Sequence, residues 1–183
     1  LFNRIKLKNV TVEADAILGR IDKAWMTMVD TMMNGRYITL KIANVIGIDH
    51  DSSYMQLINM ARKIKIAGKL AIDNDYVQHK ITEFHALSNA VVSLGFNIAS
   101  LMKDPSHPKS IVTLGKMTTS KLSQDIAIFA SELAGASGIL HEEGHLNHTA
   151  FSYLDTASLR LAGGTEEVLK NILAERILGL EGD

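Results

Sequence analysis

The amino-acid sequence predicts an all-α protein, an up-and-down antiparallel helical bundle that follows a short N-terminal β-segment. Apolar residues recur at intervals of three and four over most of the 183 residues, which is the spacing of one helix face. The two prolines, Pro105 and Pro108, stand together between two such patterns. Methionine is plentiful, with eight residues, and unbranched side chains lose little rotamer freedom in a helix. Long amphipathic helices with short connections pack as antiparallel neighbours.

Composition narrows the classes of function. The formal net charge is −1, so the chain has no excess of positive charge that would favour binding to nucleic acid or an anionic membrane. Cysteine is absent from the sequence, which excludes disulfides, thiolate catalysis and thiolate zinc sites. No uninterrupted apolar run approaches the roughly 18 residues of a membrane span. We therefore expect a cytoplasmic protein without nucleic-acid or membrane partners. Because the chain begins at Leu1 within an apparent strand, we also expect a fragment or a processed chain.

The spacing of apolar residues in the first part of the chain changes near Gly19. Residues 5–12 alternate apolar and polar side chains, which predicts a half-buried strand. Residues 21–71 follow the helical period, beginning with Trp25, Met28, Val29, Met32 and Met33. This pattern predicts either one long helix kinked near residues 47–53 or two helices hinged at residues 49–51. In the second case, Asp51 or Ser52 would cap the new helix.

Two further long helices are predicted in the middle of the chain. Asp75 and Gln78 have the spacing of a capping box, so a helix should start at Tyr76. Its inner stripe is Ile81, Phe84, Ser88, Val91, Gly95 and Ile98. The next helix covers residues 109–133 and is stopped by Gly135 and Gly138. Its inward residues are Leu114, Met117, Leu122, Ile126 and Phe129.

The last part of the chain predicts a loop and two shorter helices. Residues 138–149 are polar and rich in histidine, which favours a loop, and residues 152–161 suggest a short helix. Thr165 is placed to cap the last helix, with Val168, Ile172 and Leu173 facing the core.

The loop contains a motif of zinc peptidases. His141-Glu142-x-x-His145 would bind zinc on a helix, with Glu142 as general base. Gly138 lies just upstream and Gly144 lies inside the motif, where glycine disfavours a helix by about 1 kcal/mol relative to alanine. The sequence therefore favours a solvated loop, and the zinc metallopeptidase remains the weakest of the alternatives.

The C-terminal run from Leu161 to Leu180 resembles the end of acyl-CoA dehydrogenases. The shared features are a Gly-Gly-Thr turn at Gly163-Gly164-Thr165, an acidic residue two positions on at Glu167, and the Ala174-Glu175-Arg176 segment of the helix. Further matches follow in order along the chain. They are Val10-Thr11-Val12, Leu18-Gly19, Trp25, Arg36, Gly68-Lys69-Leu70, the run from Asp75 to Ile81, Lys116, the run from Glu132 to Gly138, and Asp155. By this resemblance, residues 1–20 are the remnant of a middle β-domain and residues 21–183 are the C-terminal helical bundle.

The resemblance implies FAD as cofactor, acyl-CoA as substrate, and an oligomer in which a neighbouring subunit contacts part of the FAD. Residues at matching cofactor positions are Gly164, Thr165, Glu167, Glu132, Gly135 and Ala136. Arg36 matches a residue near the acyl-CoA. Two alternatives stay open: Thr165 could serve as a helix cap rather than a flavin ligand, and Arg36 could be a solvated charge.

The sequence departs from the family at the catalytic positions. The family's base is a glutamate just before the Gly-Thr turn or just before the arginine of the first bundle helix, and these positions are Gly163 and Gly35. An arginine expected at the FAD pyrophosphate corresponds to Asn74, the usual glutamine to Glu132, and a loop glycine to Ala136. We therefore expect an incomplete or non-catalytic chain, possessing no catalytic residue of its own. The alternative is a flavin-free helical oligomerisation module.

Overall fold

The protein is described by a computed structural model over residues 4–46, 53–139, 141–142, 145–146 and 148–182. Within these ranges the chain is mostly helical, which confirms the all-α prediction. The helices are α1 Ala24–Ile46, α2 Ser53–Ala61, α3 Asp75–Leu101, α4 Val112–Ala134, α5 His148–Leu159 and α6 Glu166–Arg176. The strands are β1 Lys65–Ile66, β2 Lys69–Leu70, β3 His141–Glu142 and β4 His145–Leu146. Short 3₁₀ helices occur at Ala14–Ala16, Ala71–Asp73, Lys109–Ile111 and Gly135–Ile139.

Helix α4 is the centre of the bundle, because the other five helices all pack against it. One core cluster joins α2, α3 and α4, where the Phe84 and Phe129 rings lie 5.8 Å apart between centroids. A smaller cluster of Met33, Ile98 and Val112 joins α1, α3 and α4. Burying such side chains contributes about 1.5–3 kcal/mol each. The central position of α4 explains why polar residues on it, described below, become buried.

The predicted inner stripe of α3 is confirmed, because its six residues are buried or half-buried. The predicted cap is wrong. Asn74 is the N-cap, and its Oδ1 accepts hydrogen bonds from the Tyr76 N–H at 3.0 Å and the Val77 N–H at 3.3 Å. An asparagine directly before the helix satisfies two otherwise unpaired backbone donors, and so Asp75 becomes the first helical residue.

Helix α3 is also long and apolar enough, by length and composition alone, to cross a membrane. A single helix of this kind is weak support for a membrane span, since core helices of soluble proteins have the same composition. In this chain the stripe that includes Phe84 and Ile98 is buried against the other helices.

The prediction of helix through residue 71 is wrong after Ala61. Strands β1 and β2 pair in an antiparallel hairpin, with Ile66 opposite Lys69. Ala67 and Gly68 both have positive φ, 49° and 84°, as a type I′ hairpin turn requires. The hinge predicted at residues 49–51 lies outside the described residues; on either side of it, α1 ends at Ile46 and α2 begins at Ser53.

The predicted strand at residues 5–12 is wrong for this chain. Ile5 and Leu7 are 82% and 78% exposed, and the segment has no regular secondary structure. A strand needs a partner for its ladder of hydrogen bonds, and each strand in the described part of the chain pairs within its own hairpin. The assignment of residues 1–20 to another domain therefore stays a prediction.

The C-terminal part corrects two details. Helix α5 begins at His148, earlier than predicted, and Ala150 in its first turn is buried. In α6 the buried residue is Leu169, whereas Val168 is 52% exposed. Because Ile172 and Leu173 are half-buried, the inward stripe begins at Leu169, three residues before Ile172.

Candidate functional site

The Gly-Gly-Thr turn before α6 is the structural centre of the candidate site. Gly163 and Gly164 have φ of 73° and 113°, in the left-handed region where residues with a Cβ are strained. A Cβ on Gly164 would lie 2.8 Å from Leu169 Cδ2 and 3.1 Å from Arg36 Nη2. Glycine is therefore required at position 164 both by the backbone angle and by the close packing of Leu169 and Arg36.

Arg36 of α1 holds this turn in place. Its side chain is 5% exposed, which overturns the interpretation of a solvated surface charge. Its Nε donates to the Gly163 carbonyl oxygen at 2.8 Å, and its Nη1 donates to Thr113 Oγ1 at 3.3 Å. Burial lowers the pKa of the Arg36 guanidinium below its ordinary value.

Lys116 of α4 approaches the same turn from the other side. Its Nζ donates to the Gly164 carbonyl oxygen at 2.9 Å and to the Arg160 carbonyl oxygen at 3.4 Å. Lys116 is 5% exposed, and burial, with the charges of Arg36 and Arg160, lowers the pKa of its ammonium. The sequence noted Lys116 as a family match, but it did not predict that the lysine would contact the turn.

Gly35 and Gly163, the positions at which the sequence resemblance predicted a base, line one cavity together. The cavity has a volume of about 350 Å³ and lies between α1, α4 and the turn. Arg36 and Lys116 are its charged residues, and no carboxylate side chain is among the described residues that line it. The structure thus brings the predicted catalytic positions together without a carboxylate among the described residues of the wall.

Gly35 and Gly163 differ in whether a side chain would fit at their positions. No described atom beyond the backbone of its own helix lies within 4 Å of a Cβ built on Gly35. A Cβ on Gly163 would also find room, its nearest neighbour being Lys116 Cε at 3.9 Å, but the positive φ strains any L side chain there. A side chain therefore fits sterically at Gly35 and is disfavoured by the backbone at Gly163.

Thr165 and Glu167 begin α6. Thr165 Oγ1 accepts a hydrogen bond from the Val168 N–H at 3.4 Å, which confirms its predicted capping role. The Glu167 backbone N–H and the Thr165 hydroxyl both donate to the Glu167 carboxylate and lower the pKa of that carboxyl. Arg160 bridges α6 and α4 by pairing with Glu166 and by donating to Gln124 Oε1 at 2.8 Å. No pattern in the sequence predicted the Arg160 contacts.

The other predicted cofactor residues lie at the opposite end of α4. Glu132 is exposed near the end of the helix, and Gly135, with φ of 56°, is its C-cap. Sixteen residues separate Lys116 from Glu132 along α4, about 24 Å at 1.5 Å per residue. The structure therefore does not bring Glu132, Gly135 and Ala136 together with Thr165. A second cavity, of about 600 Å³, lies near this end, with Ala134 and Ser137 in its wall.

The zinc motif lies on a hairpin. His141–Glu142 and His145–Leu146 form the paired strands β3 and β4. The backbone at these four residues is therefore extended, whereas the zinc-binding motif requires a helix. The prediction that the motif does not form a helix is confirmed for these four residues. The predicted loop is wrong there, because they form paired strands, and His148 already belongs to α5.

Comparisons with known proteins identify the family. Residues 25–178 match the family model described as acyl-CoA dehydrogenase, C-terminal domain. The chain belongs to this family.

Individual relatives agree with this assignment. The chain is 26% identical to the acyl-CoA dehydrogenase FadE34 of Mycobacterium tuberculosis, over 98% of this chain and 23% of that protein. Butyryl-CoA dehydrogenase from Megasphaera elsdenii has the same fold, with a TM-score of 0.75 at 19% identity over 93% of this chain and 43% of that one. The ChsE4-ChsE5 complex from Mycobacterium tuberculosis matches with a TM-score of 0.60 at 20% identity, over 72% of this chain and 35% of that one. The chain spans less than half the length of each of these relatives.

Proposed function

We propose that this chain is the helical domain of an acyl-CoA dehydrogenase-like flavoprotein and that it does not itself catalyse dehydrogenation. The observation that carries the proposal is the cavity shared by Gly35 and Gly163. Removing a proton next to a thioester carbonyl needs a base within hydrogen-bond reach. The described wall of this cavity offers two cations and three hydroxyls, and neither group accepts a proton readily at neutral pH.

The two ends of α4 differ in how well they fit FAD, which in this family supplies the hydride acceptor. At the α6 end, the Thr165 hydroxyl and the positive end of the α6 dipole offer polar groups to a ring. At the other end, the exposed Glu132 carboxylate would repel a pyrophosphate. The fit is therefore good for the ring system and poor for the phosphates.

The distance between these ends favours a two-chain site. Lys116, whose ammonium contacts the turn before Thr165, lies about 24 Å from Glu132 along α4, so one protomer does not bring Thr165 and Glu132 to the same small ring. We propose that a second subunit, either a copy of this chain or a homologous acyl-CoA dehydrogenase subunit, completes the flavin site and supplies the catalytic carboxylate for an acyl-CoA. The match to the ChsE4-ChsE5 complex supports a two-subunit arrangement.

A flavin-free oligomerisation module is the second candidate function. It is favoured by the outer face of α1, where Trp25 is 71% exposed and Met26 is 60% exposed, since exposed apolar patches often mark interfaces. This candidate shares the predicted association but requires no cofactor.

Purification of the chain alone, and together with a homologous full-length subunit, separates these candidates. We expect no acyl-CoA oxidation by the chain alone, and flavin absorbance that is retained only in the two-subunit complex. A complex that forms without flavin would favour the oligomerisation module. Acyl-CoA oxidation by the isolated chain, lost on substitution of a residue within it, would overturn the proposal.

A further inference from the structure

The cavity between α1, α4 and the Gly163-Gly164 turn holds two buried cations without a counter-ion. Arg36 and Lys116 are both 5% exposed, and among the described residues no carboxylate lies within 4.0 Å of either. Their charged groups donate to carbonyl oxygens of adjacent residues, Gly163 and Gly164, and so meet at one turn. Carbonyl dipoles only partly offset the cost of burying a charge. Arg160, close by, differs because it pairs with Glu166.

The hydrogen-bond inventory of the cavity shows a surplus of donors. Arg36 has five N–H groups, and its described acceptors engage Nε and Nη1, leaving Nη2 unengaged. Lys116 has three N–H groups and two carbonyl acceptors. Thr119 Oγ1, in the wall of the same cavity, is buried and has no hydrogen-bond partner among the described residues. A buried donor without an acceptor destabilises the folded chain, so an acceptor-rich group would be favoured here.

The rest of the wall restricts the size and polarity of that group. Gly35 leaves the space that a side chain at this position would fill. Met32, Leu159 and Ala162 add apolar surface next to the charged end. A carboxylate matches the charged end because it accepts hydrogen bonds only, and a short alkyl chain matches the apolar wall.

We propose that this cavity binds a short-chain monocarboxylate, whose carboxylate accepts hydrogen bonds from Lys116 and Arg36 and whose alkyl chain lies against Met32 and Leu159. The ligand's carboxylate then serves as the counter-ion of the two buried cations. The inference concerns the cavity of this chain alone and does not depend on flavin binding.

Calorimetric titration of the full 183-residue chain with sodium butyrate tests the proposal. We expect saturable binding, with n-butanol, the uncharged analogue, bound at least about tenfold more weakly because it cannot engage both cations. Lys116→Met should weaken butyrate binding by about tenfold or more. Lys121→Met removes an exposed lysine of the same helix, paired to Asp125, and should bind butyrate as the wild type does.

A second pair of variants keeps the test decisive if Lys116→Met fails to fold. Gly35→Glu places a carboxylate at the mouth of the cavity and should abolish butyrate binding, whereas Gly35→Gln has the same shape without the charge and should weaken it less. Equal loss in both variants, or butyrate binding no tighter than butanol binding in the wild type, would overturn the proposal. Neither result bears on the proposed function, because that is judged by flavin absorbance.

Discussion

Arg36 Nε donates a 2.8 Å hydrogen bond to the Gly163 carbonyl oxygen across 127 residues of chain. The bond joins α1 to the turn before α6, and so it joins the two elements that carry Gly35 and Gly163. Arg36 therefore acts first as a structural residue, because its guanidinium orients the backbone that forms one wall of the cavity.

Replacing Arg36 should destabilise the chain. Arg36→Met keeps much of the apolar stem but leaves the Gly163 carbonyl without its donor, so we expect the free energy of unfolding to fall by about 1–3 kcal/mol. Arg36→Lys keeps the charge but lacks the planar guanidinium fork. Its free energy of unfolding should therefore lie between those of the wild type and Arg36→Met. Urea unfolding followed by circular dichroism measures both. A value for Arg36→Met within about 0.5 kcal/mol of the wild type would contradict the structural role.

The two glycines of the cavity should respond in opposite directions to alanine. Gly35 lies in a helix with room for a Cβ, so Gly35→Ala should stabilise the chain by up to about 1 kcal/mol. Gly163 has φ of 73°, and Gly163→Ala should destabilise it by about 1–2 kcal/mol. Thermal unfolding of the two variants side by side compares them. Changes of the same sign would show that the turn differs from the one described.

Substitutions of Thr165 distinguish a role in helix capping from a role in flavin binding. Its Oγ1 accepts the Val168 N–H at 3.4 Å, a long bond, so Thr165→Ala should cost about 0.5–1 kcal/mol, the lower part of the range for N-caps. Thr165→Ser keeps the oxygen and should cost less. The denaturant midpoint of the flavin-free chain is the measurement. If the denaturant midpoint of Thr165→Ala equals that of the wild type, the hydroxyl does not stabilise α6. A role in flavin binding would then be the remaining explanation.

Lys116 should make stability depend on pH in the alkaline range. Its pKa in the folded chain is below the ordinary value of 10.5, so between these two values the unfolded chain binds more protons. The free energy of unfolding should therefore rise with pH through this window, as the buried ammonium loses its charge. We expect the wild type to gain stability relative to Lys116→Met as the pH rises towards the ordinary lysine pKa of 10.5. Comparing the two chains cancels the other titrating groups; parallel pH profiles would argue against a perturbed Lys116.

The sequence predicted the long helices well because their periodicity is a local property. The spacing of Ile81, Phe84 and Ile98 along α3 is enough to give their common face. It failed between residues 62 and 71, where Ile64 and Gly68 happen to fit a helical stripe although Ala67 and Gly68 form a tight turn. Short hairpins depend on two backbone angles, which hydrophobic spacing does not report.

The sequence predicted which residues belong to the site but not which atoms contact one another. Gly35, Gly163 and Arg36 were identified by family resemblance, and the structure places them together. Their arrangement depends on contacts between residues far apart in the chain, such as Lys116 with Gly164, which no local pattern encodes. Apart from the Thr113 hydroxyl, the described oxygen partners of these cations are backbone carbonyls, and because every residue carries one, the sequence could not single them out.

The different backbones of the two glycines also set how readily this chain could acquire a catalytic acid by mutation. A glycine codon ending in A or G becomes a glutamate codon by one nucleotide change. At Gly35 the new side chain would extend from a regular helix into the mouth of the cavity, so one mutational step supplies the carboxylate without disturbing the backbone. At Gly163 the same step would strain a left-handed turn. The backbone of this turn is held by the hydrogen bonds of Arg36 to the Gly163 carbonyl and of Lys116 to the Gly164 carbonyl. Of the two glycines, Gly35 therefore offers the shorter evolutionary route to a base in this cavity, and that route runs through helix α1.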